Sequence, residues 1–290
     1  MPAKLKLFLS MFIFGTIGLF VRMIPLPSSL IAFVRAAVGT LFLLGVMLLT
    51  KKKPDLASIR RNWKTLVFSG AAMGFNWILL FEAYRYTTVA IATLCYYFSA
   101  IFVIVASPFL LKEKITPFKG ACALVALIGM VLVSGVLDGT SASFSPAGVA
   151  LGLGAAVLYA TVVLLNKRLS GISSYDTTVS QLAVSAVVLL PYVLLTENVS
   201  AISLPPMGTL MLGTVAVVHT GIAYAMYFSS LQQIKAQTVA LVSYLDPVVA
   251  LLLSVFILHE PMTAAGVIGA VLVLGSMLLS EINPKNHQKG

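Results

Sequence analysis

FLLKEKITPFKGACALVALIGMVLV at residues 109–133 and FILHEPMTAAGVIGAVLVLGSMLL at residues 256–279 are two versions of one pattern. In each, an apolar run ends at a glutamate, a threonine follows three residues later, and a second apolar run begins. Sliding the chain by 147 residues superimposes them: Leu111 meets Leu258, Glu113 meets Glu260, Thr116 meets Thr263, Ala123 meets Ala270 and Leu132 meets Leu279. The same shift pairs Phe81 with Phe228, Leu94 with Leu241 and Tyr97 with Tyr244. A shift of 146 pairs Ala37 with Ala183, Val38 with Val184, Leu43 with Leu189 and Leu44 with Leu190. Apolar coincidences are common in a chain this apolar, so the tyrosine, glutamate and threonine pairs carry the repeat. It divides the chain near 1–139 and 140–290, and internal repetition constrains architecture before any local reading.

The composition names the solvent. Of 290 residues, 59% are hydrophobic and 10% charged, whereas soluble domains carry about 25% charged residues. Too few charges are present for a water-facing surface, and the chain is too apolar for disorder. Most of it must face lipid. The net charge of +10 then reads as basic cytoplasmic loops rather than a nucleic-acid surface. Cys95 and Cys122 lie inside apolar runs and read as small hydrophobes. Three histidines without a ligand cluster argue against a metal site, and no cofactor is expected.

Apolar runs of about 20 residues are candidate membrane spans. Ten occur, near 7–24, 28–50, 65–83, 88–111, 118–137, 146–166, 177–195, 207–231, 236–258 and 262–280. The first lacks a small-residue cleavage site before Pro25 and runs at once into another span, so it reads as retained rather than as a signal peptide. With the N-terminus inside, 16 of the 19 Lys and Arg fall in cytoplasmic loops, Arg22 and Arg85 fall outside, and Arg35 lies within a span. That bias sets the orientation. The expected fold is an all-α integral membrane protein of the cell membrane: ten transmembrane helices as two five-helix repeats, N- and C-termini cytoplasmic. Five is odd, so the second repeat enters the membrane inverted. Lys112-Glu113-Lys114 then lies inside and His259-Glu260-Pro261 outside. Inverted repeats are an architecture of secondary transporters.

Within the spans, polar residues are candidate functional groups. Asp246 sits midway along the ninth run and precedes Pro247. A charge at that depth costs roughly 2.5–3.5 kcal/mol, so such acids face a cavity or a partner. Asp at an N-cap with Pro at the first helical position also suits a helix that restarts at the midplane. Burial disfavours the ionised carboxyl, and proton coupling follows as an expectation; a purely structural cap is the alternative. Arg35 either binds a solute carboxylate, pairs with a protein acid, or extends outward. Glu113 and Glu260 read as paired corners or gates that accept hydrogen bonds at the start of the next helix. Further cavity candidates are Asn76, Tyr96, Tyr97, Ser99, Tyr159, Asn166, Gln181, His219, Tyr224 and Tyr244, most of them on polar stripes at helical spacing. Such faces turn from lipid toward the bundle, for solute binding or for hydrogen bonds between helices. Gly70-x-x-x-Gly74 and Gly148-x-x-x-Gly152 allow close packing, within one subunit or in a homodimer.

The quoted stretches, in their order and spacing, resemble the EamA family of the drug/metabolite transporter superfamily. AFVRAAVGTLFLL at residues 32–44 resembles the arginine-bearing second helix of that family, and YLDPVVALLLSVFIL at residues 244–258 its ninth. The two Glu-x-x-Thr junctions resemble one junction per half. The first half departs from the family pattern at Ala100, where a proline often stands. The resemblance implies a central cavity lined mainly by helices 1–4 and 6–9, with helices 5 and 10 at the periphery. It implies transport of small metabolites, with export as the family-level direction. Amino acids or amine compounds suit the central acid. A flippase for lipid-linked sugars and a non-transporting scaffold or receptor are the alternatives. An enzyme is not expected: position 263 is Thr where a zinc-protease motif needs His, and neither Gly-x-Ser-x-Gly nor a Walker loop occurs. The partners expected are a small-molecule substrate, protons and the lipid bilayer.

Overall fold

The computed structural model describes residues 1–110, 117–133, 145–198, 203–231, 242–243 and 245–282. The described part is helical. In chain order it comprises α1 (Ala3–Arg22), α2 (Ser28–Leu49), α3 (Leu56–Arg61), α4 (Trp63–Tyr86), α5 (Val89–Tyr97), α6 (Ser99–Leu110), α7 (Pro117–Val133), α8 (Pro146–Asn166), α9 (Ser174–Thr196) and α10 (Pro206–Thr214). A π-helical segment (Val215–Ile222), α11 (Ala223–Leu231), α12 (Leu245–Phe256) and α13 (Ala264–Ile282) follow.

Local chemistry sets the helix starts. Asp55 accepts from the amides of Ala57 and Ser58 to begin α3, and Thr88 accepts from Ile91 to begin α5. Ser145 caps α8 with Pro146 next to it, and Ser173 caps α9 through the Asp176 amide at 3.0 Å. Each cap occupies an amide that the helix itself leaves unpaired.

Among the described residues seven helices are long and apolar enough to cross a membrane: Ala3–Arg22, Ser28–Leu49, Trp63–Tyr86, Val89–Ala106, Pro146–Asn166, Ser174–Thr196 and Pro206–Ser230. Three shorter apolar helices, Gly120–Leu132, Leu245–Phe256 and Ala264–Ser276, lie where three further spans are expected from the sequence. Exposed side chains such as Leu48, Leu49, Phe68, Phe109 and Leu195 point away from the bundle, as a lipid-facing surface requires.

Packing is dominated by α4 against α8, α4 and α2 against α9, and α1 against α11 and α12. The α7 helix packs mainly against α13, to one side. Glycines set these approaches. A Cβ on Gly70 would stand 2.7 Å from Val184 Cβ, and one on Gly148 2.8 Å from Thr87 Cβ. Both spaced glycine pairs therefore pack helices of the same chain.

Candidate functional site

A cavity of about 560 Å³ runs between α1, α2, α4, α5, α8, α9, α11 and α12. None of its lining residues comes from α7, α10 or α13. Of the residues lining it, Arg35 and Asp246 are the two that carry charge. At one end it reaches Leu169 and Ile172 of the α8–α9 connection and the exposed Ser174 at the start of α9. This is the basic end of the bundle, with Arg61 bonded to the Ser170 carbonyl at 2.8 Å.

Arg35 is held on three sides. Its guanidinium carbon lies 4.1 Å from the centre of the Trp77 ring and 5.8 Å from that of Phe81. Its Nε donates to Thr220 Oγ1 at 2.8 Å. A guanidinium suits such a face because it is planar and weakly hydrated. Thr220 is placed by the π-helical turns: its hydroxyl donates to the Val215 carbonyl, five residues back, at 3.2 Å. Short π-helical segments inside α-helices are frequent at functional sites.

Asp246 lies in the first turn of α12, where the helix dipole favours negative charge, with Pro247 beside it. The Tyr97 side chain and the Arg35 guanidinium are its electrostatic partners. Gly15 of α1 makes room behind it, since a Cβ there would stand 2.5 Å from the Asp246 carbonyl oxygen.

Tyrosines supply much of the remaining wall. Tyr84, Tyr96, Tyr97, Tyr159, Tyr224 and Tyr227 all line the cavity. Tyr96 and Tyr159 have ring centres 5.2 Å apart. Toward the basic end, Gln181 Nε2 donates to Asn166 Oδ1 at 2.6 Å and to Ser69 Oγ at 2.7 Å, tying α9 to α8 and α4. Ser99 completes the set read from the sequence that the structure brings together.

Two candidates stand elsewhere. Asn76 is fully buried and turns from the cavity to α8, donating to the Ala155 carbonyl at 2.5 Å. His219 is turned toward α1, where Nε2 meets Thr16 Oγ1 at 2.8 Å, and its Nδ1 is 3.3 Å from the Thr214 carbonyl. The π-helical register, invisible to a 3.6-residue periodicity, sets that direction. Tyr244 and Glu113 lie outside the described residues. Sequence reasoning passed over Trp77 and Tyr84, whose aromatic character has no periodic signature in an apolar span.

Glu260 sits at the end opposite the basic one. Its Oε1 is 2.5 Å from Arg22 Nη1, and its Oε2 accepts from the Val89 amide at 2.9 Å and from the Ser254 hydroxyl. Arg22 also donates to the Thr87 carbonyl at 3.0 Å. Nearby, Ser28 donates to Glu82 and Ser29 to Glu197, each at 2.6 Å. These contacts tie the ends of α1, α2, α4, α5, α9 and α12 together, at the end of the bundle away from Ser174.

Residues 1–135 and 146–281 each match the EamA-like transporter family. A Bacillus subtilis (strain 168) protein named "Uncharacterized transporter YxxF" is 29% identical over 281 residues, 96% of this chain and 89% of that protein. "Protein PecM" of Dickeya dadantii (strain 3937) is 26% identical over 262 residues, 88% of this chain and 82% of that protein. A solved crystal structure superimposes with a TM-score of 0.68 at 18% identity, covering 96% of both chains, a likeness of fold.

Proposed function

The chain belongs to the EamA-like transporter family and is a multi-pass protein of the cell membrane, and from that premise we propose that it is a secondary transporter of small polar metabolites working by alternating access. The observation that carries this reading is the cavity of about 560 Å³ that holds Arg35 and Asp246 and reaches the exposed Ser174. Volumes of about 300–1,000 Å³ suit small organic ligands. A guanidinium and a carboxyl in one aromatic cavity match the two ends of an amino acid, and the tyrosine faces match an organic amine.

In this reading the halves 1–139 and 140–290 are inverted five-helix repeats, giving ten spans with both termini in the cytoplasm. The basic end is then cytoplasmic, and the structure is the inward-open state. Glu260 and Arg22 clamp the outer helix ends together. Asp246 exchanges a proton as solute binds or leaves, Arg35 and the tyrosines hold the solute, and the direction of net movement is export.

The test uses purified protein in proteoliposomes holding a pH-sensitive dye, with amino acids, polyamines, quaternary amines and sugar phosphates added in turn. One amine-bearing class is expected to move protons with wild type and not with Asp246→Asn. A proton signal unchanged in Asp246→Asn sinks the coupling role. A signal from sugar phosphates alone sinks the amine assignment.

A further inference from the structure

A second cavity, of about 250 Å³, lies at the Glu260 end of the bundle, with Arg22, Leu26, Ser28, Phe81, Tyr84 and Arg85 in its wall. Tyr84 also lines the central cavity, and no other residue lines both. Its ring is therefore the partition between the two spaces. The side chain is buried, in the last turn of α4. It stacks beside Phe81 with ring centres 6.4 Å apart. Its hydroxyl is 3.4 Å from Thr93 Oγ1, a residue of the central cavity. On α1, a Cβ added to Gly18 would stand 3.5 Å from Tyr84 Cζ, so helix backbone lies directly against the ring.

The contacts on this ring are one long hydrogen bond and van der Waals packing. Those around Glu260 are an ion pair and charge-assisted hydrogen bonds, which are stronger. Beyond the ring, the side chains of Arg22 and Arg85 are 36% and 59% exposed, so the second cavity has an open rim. Both arginines use Nη1 on protein acceptors, Glu260 and Thr87 for Arg22, Glu82 for Arg85. Among the described residues no carboxylate lines this cavity, and Glu260 and Glu82 lie behind its two arginines. The remaining guanidinium N–H groups form a donor surface suited to a carboxylate.

We propose that the second cavity is an outer vestibule, a second station that receives the solute through its carboxylate, and that the Tyr84 ring is the door between it and the central cavity. The proposal rests on the transport reading above. The route it defines runs from Asp246 and Arg35 past Thr93 and Tyr84 to Ser28 and the arginine rim. The Glu260 cluster borders this route through Arg22 and does not block it. In the outward-facing state Tyr84 leaves this position and joins the two spaces while the mouth at Ser174 closes.

The experiment measures reaction of single cysteines with membrane-impermeant thiol reagents, in full-length protein with Cys95 and Cys122 replaced by alanine. Leu26→Cys reports the vestibule and Thr93→Cys the inner side of the door. From the outer face, Leu26→Cys is expected to react and Thr93→Cys to be protected. Adding Tyr84→Ala raises the Thr93→Cys rate about tenfold, as removal of a gating side chain does, while Tyr84→Phe leaves it as it was. Anionic reagent outpaces cationic reagent at Leu26→Cys, and Arg85→Gln narrows the difference. In inverted vesicles Thr93→Cys reacts in every background, which establishes that the variants are folded.

A Thr93→Cys rate that ignores Tyr84→Ala overturns the door. Leu26→Cys that is unreactive from outside, or that shows no preference for the anion, overturns the vestibule. Flux in proteoliposomes separates the two readings: absent flux with the expected labelling removes the transport reading alone, and normal flux with unaltered labelling removes the door alone.

Discussion

Arg35 binds three elements into one site, because it issues from α2, lies on Trp77 of α4 and donates to Thr220 of the π-helical turns. A hydrogen bond to a charged group contributes about 1.5–3 kcal/mol. Thr220→Val keeps the side-chain shape and deletes that acceptor from a buried guanidinium. Thermal unfolding of the detergent-purified protein is expected to show a loss of this size, together with weaker solute binding; an unchanged melting temperature would mean that Trp77 alone holds the arginine. The sequence announced Arg35 and Asp246 because a charge inside an apolar span stands out from its neighbours. It gave no sign that Trp77 and Thr220 are the partners, since such pairings depend on which helix faces cross.

At the scale of elements, α3 lies outside the membrane-spanning segments and begins on the Asp55 carboxylate. Hydrogen bonds from Ser58, more than any other influence, hold that carboxyl below its ordinary value. A depressed acid contributes stability above its unfolded value, and the contribution is lost as the pH falls through its folded one. The cap is therefore present near neutrality and fails below about pH 4. The protection factors of the Ala57 and Ser58 amides, taken against the intrinsic exchange rate at each pH, should fall on acidification through that range, and Asp55→Asn should abolish the pH dependence of the protection factors. Caps such as Asp55, Ser145 and Ser173 are of the residue types that begin helices, a local signal. The π-helical turns have no such signal: an i to i−5 register needs tertiary partners, here Thr16 for His219 and Arg35 for Thr220. For the same reason His219, read beside a cavity stripe, faces α1.

Across the whole molecule the two ends are built differently. One offers an exposed mouth at Ser174; the other is joined through Glu260 and Arg22. Composition was enough to read a membrane protein, but not how its helix ends are joined, because those contacts are made by side chains far apart in sequence. A two-state protein responds to whatever is present in one state alone. Glu260→Ala leaves the Val89 amide, the Ser254 hydroxyl and the Arg22 guanidinium without their acceptor. Each buried donor so left costs about 1–3 kcal/mol, and a coupling of that size shifts a population ratio about 5–150-fold. Labelling of Thr93→Cys from outside should rise in Glu260→Ala, and labelling at Ile172→Cys from the basic side should fall. If neither rate moves, the cluster holds helices together without gating them.

The contact between Arg35 and Trp77 has an optical consequence. The chain contains two tryptophans, and Trp63 is exposed at the basic end while Trp77 is buried beneath the guanidinium. Indole emission shifts with the charge lying over the ring. Replacing Trp63 with phenylalanine leaves a single fluorophore in the cavity wall, so any solute that draws Arg35 off the ring changes the colour of the protein's own light. Occupancy can then be read without a label, in detergent or in lipid, before the solute is identified.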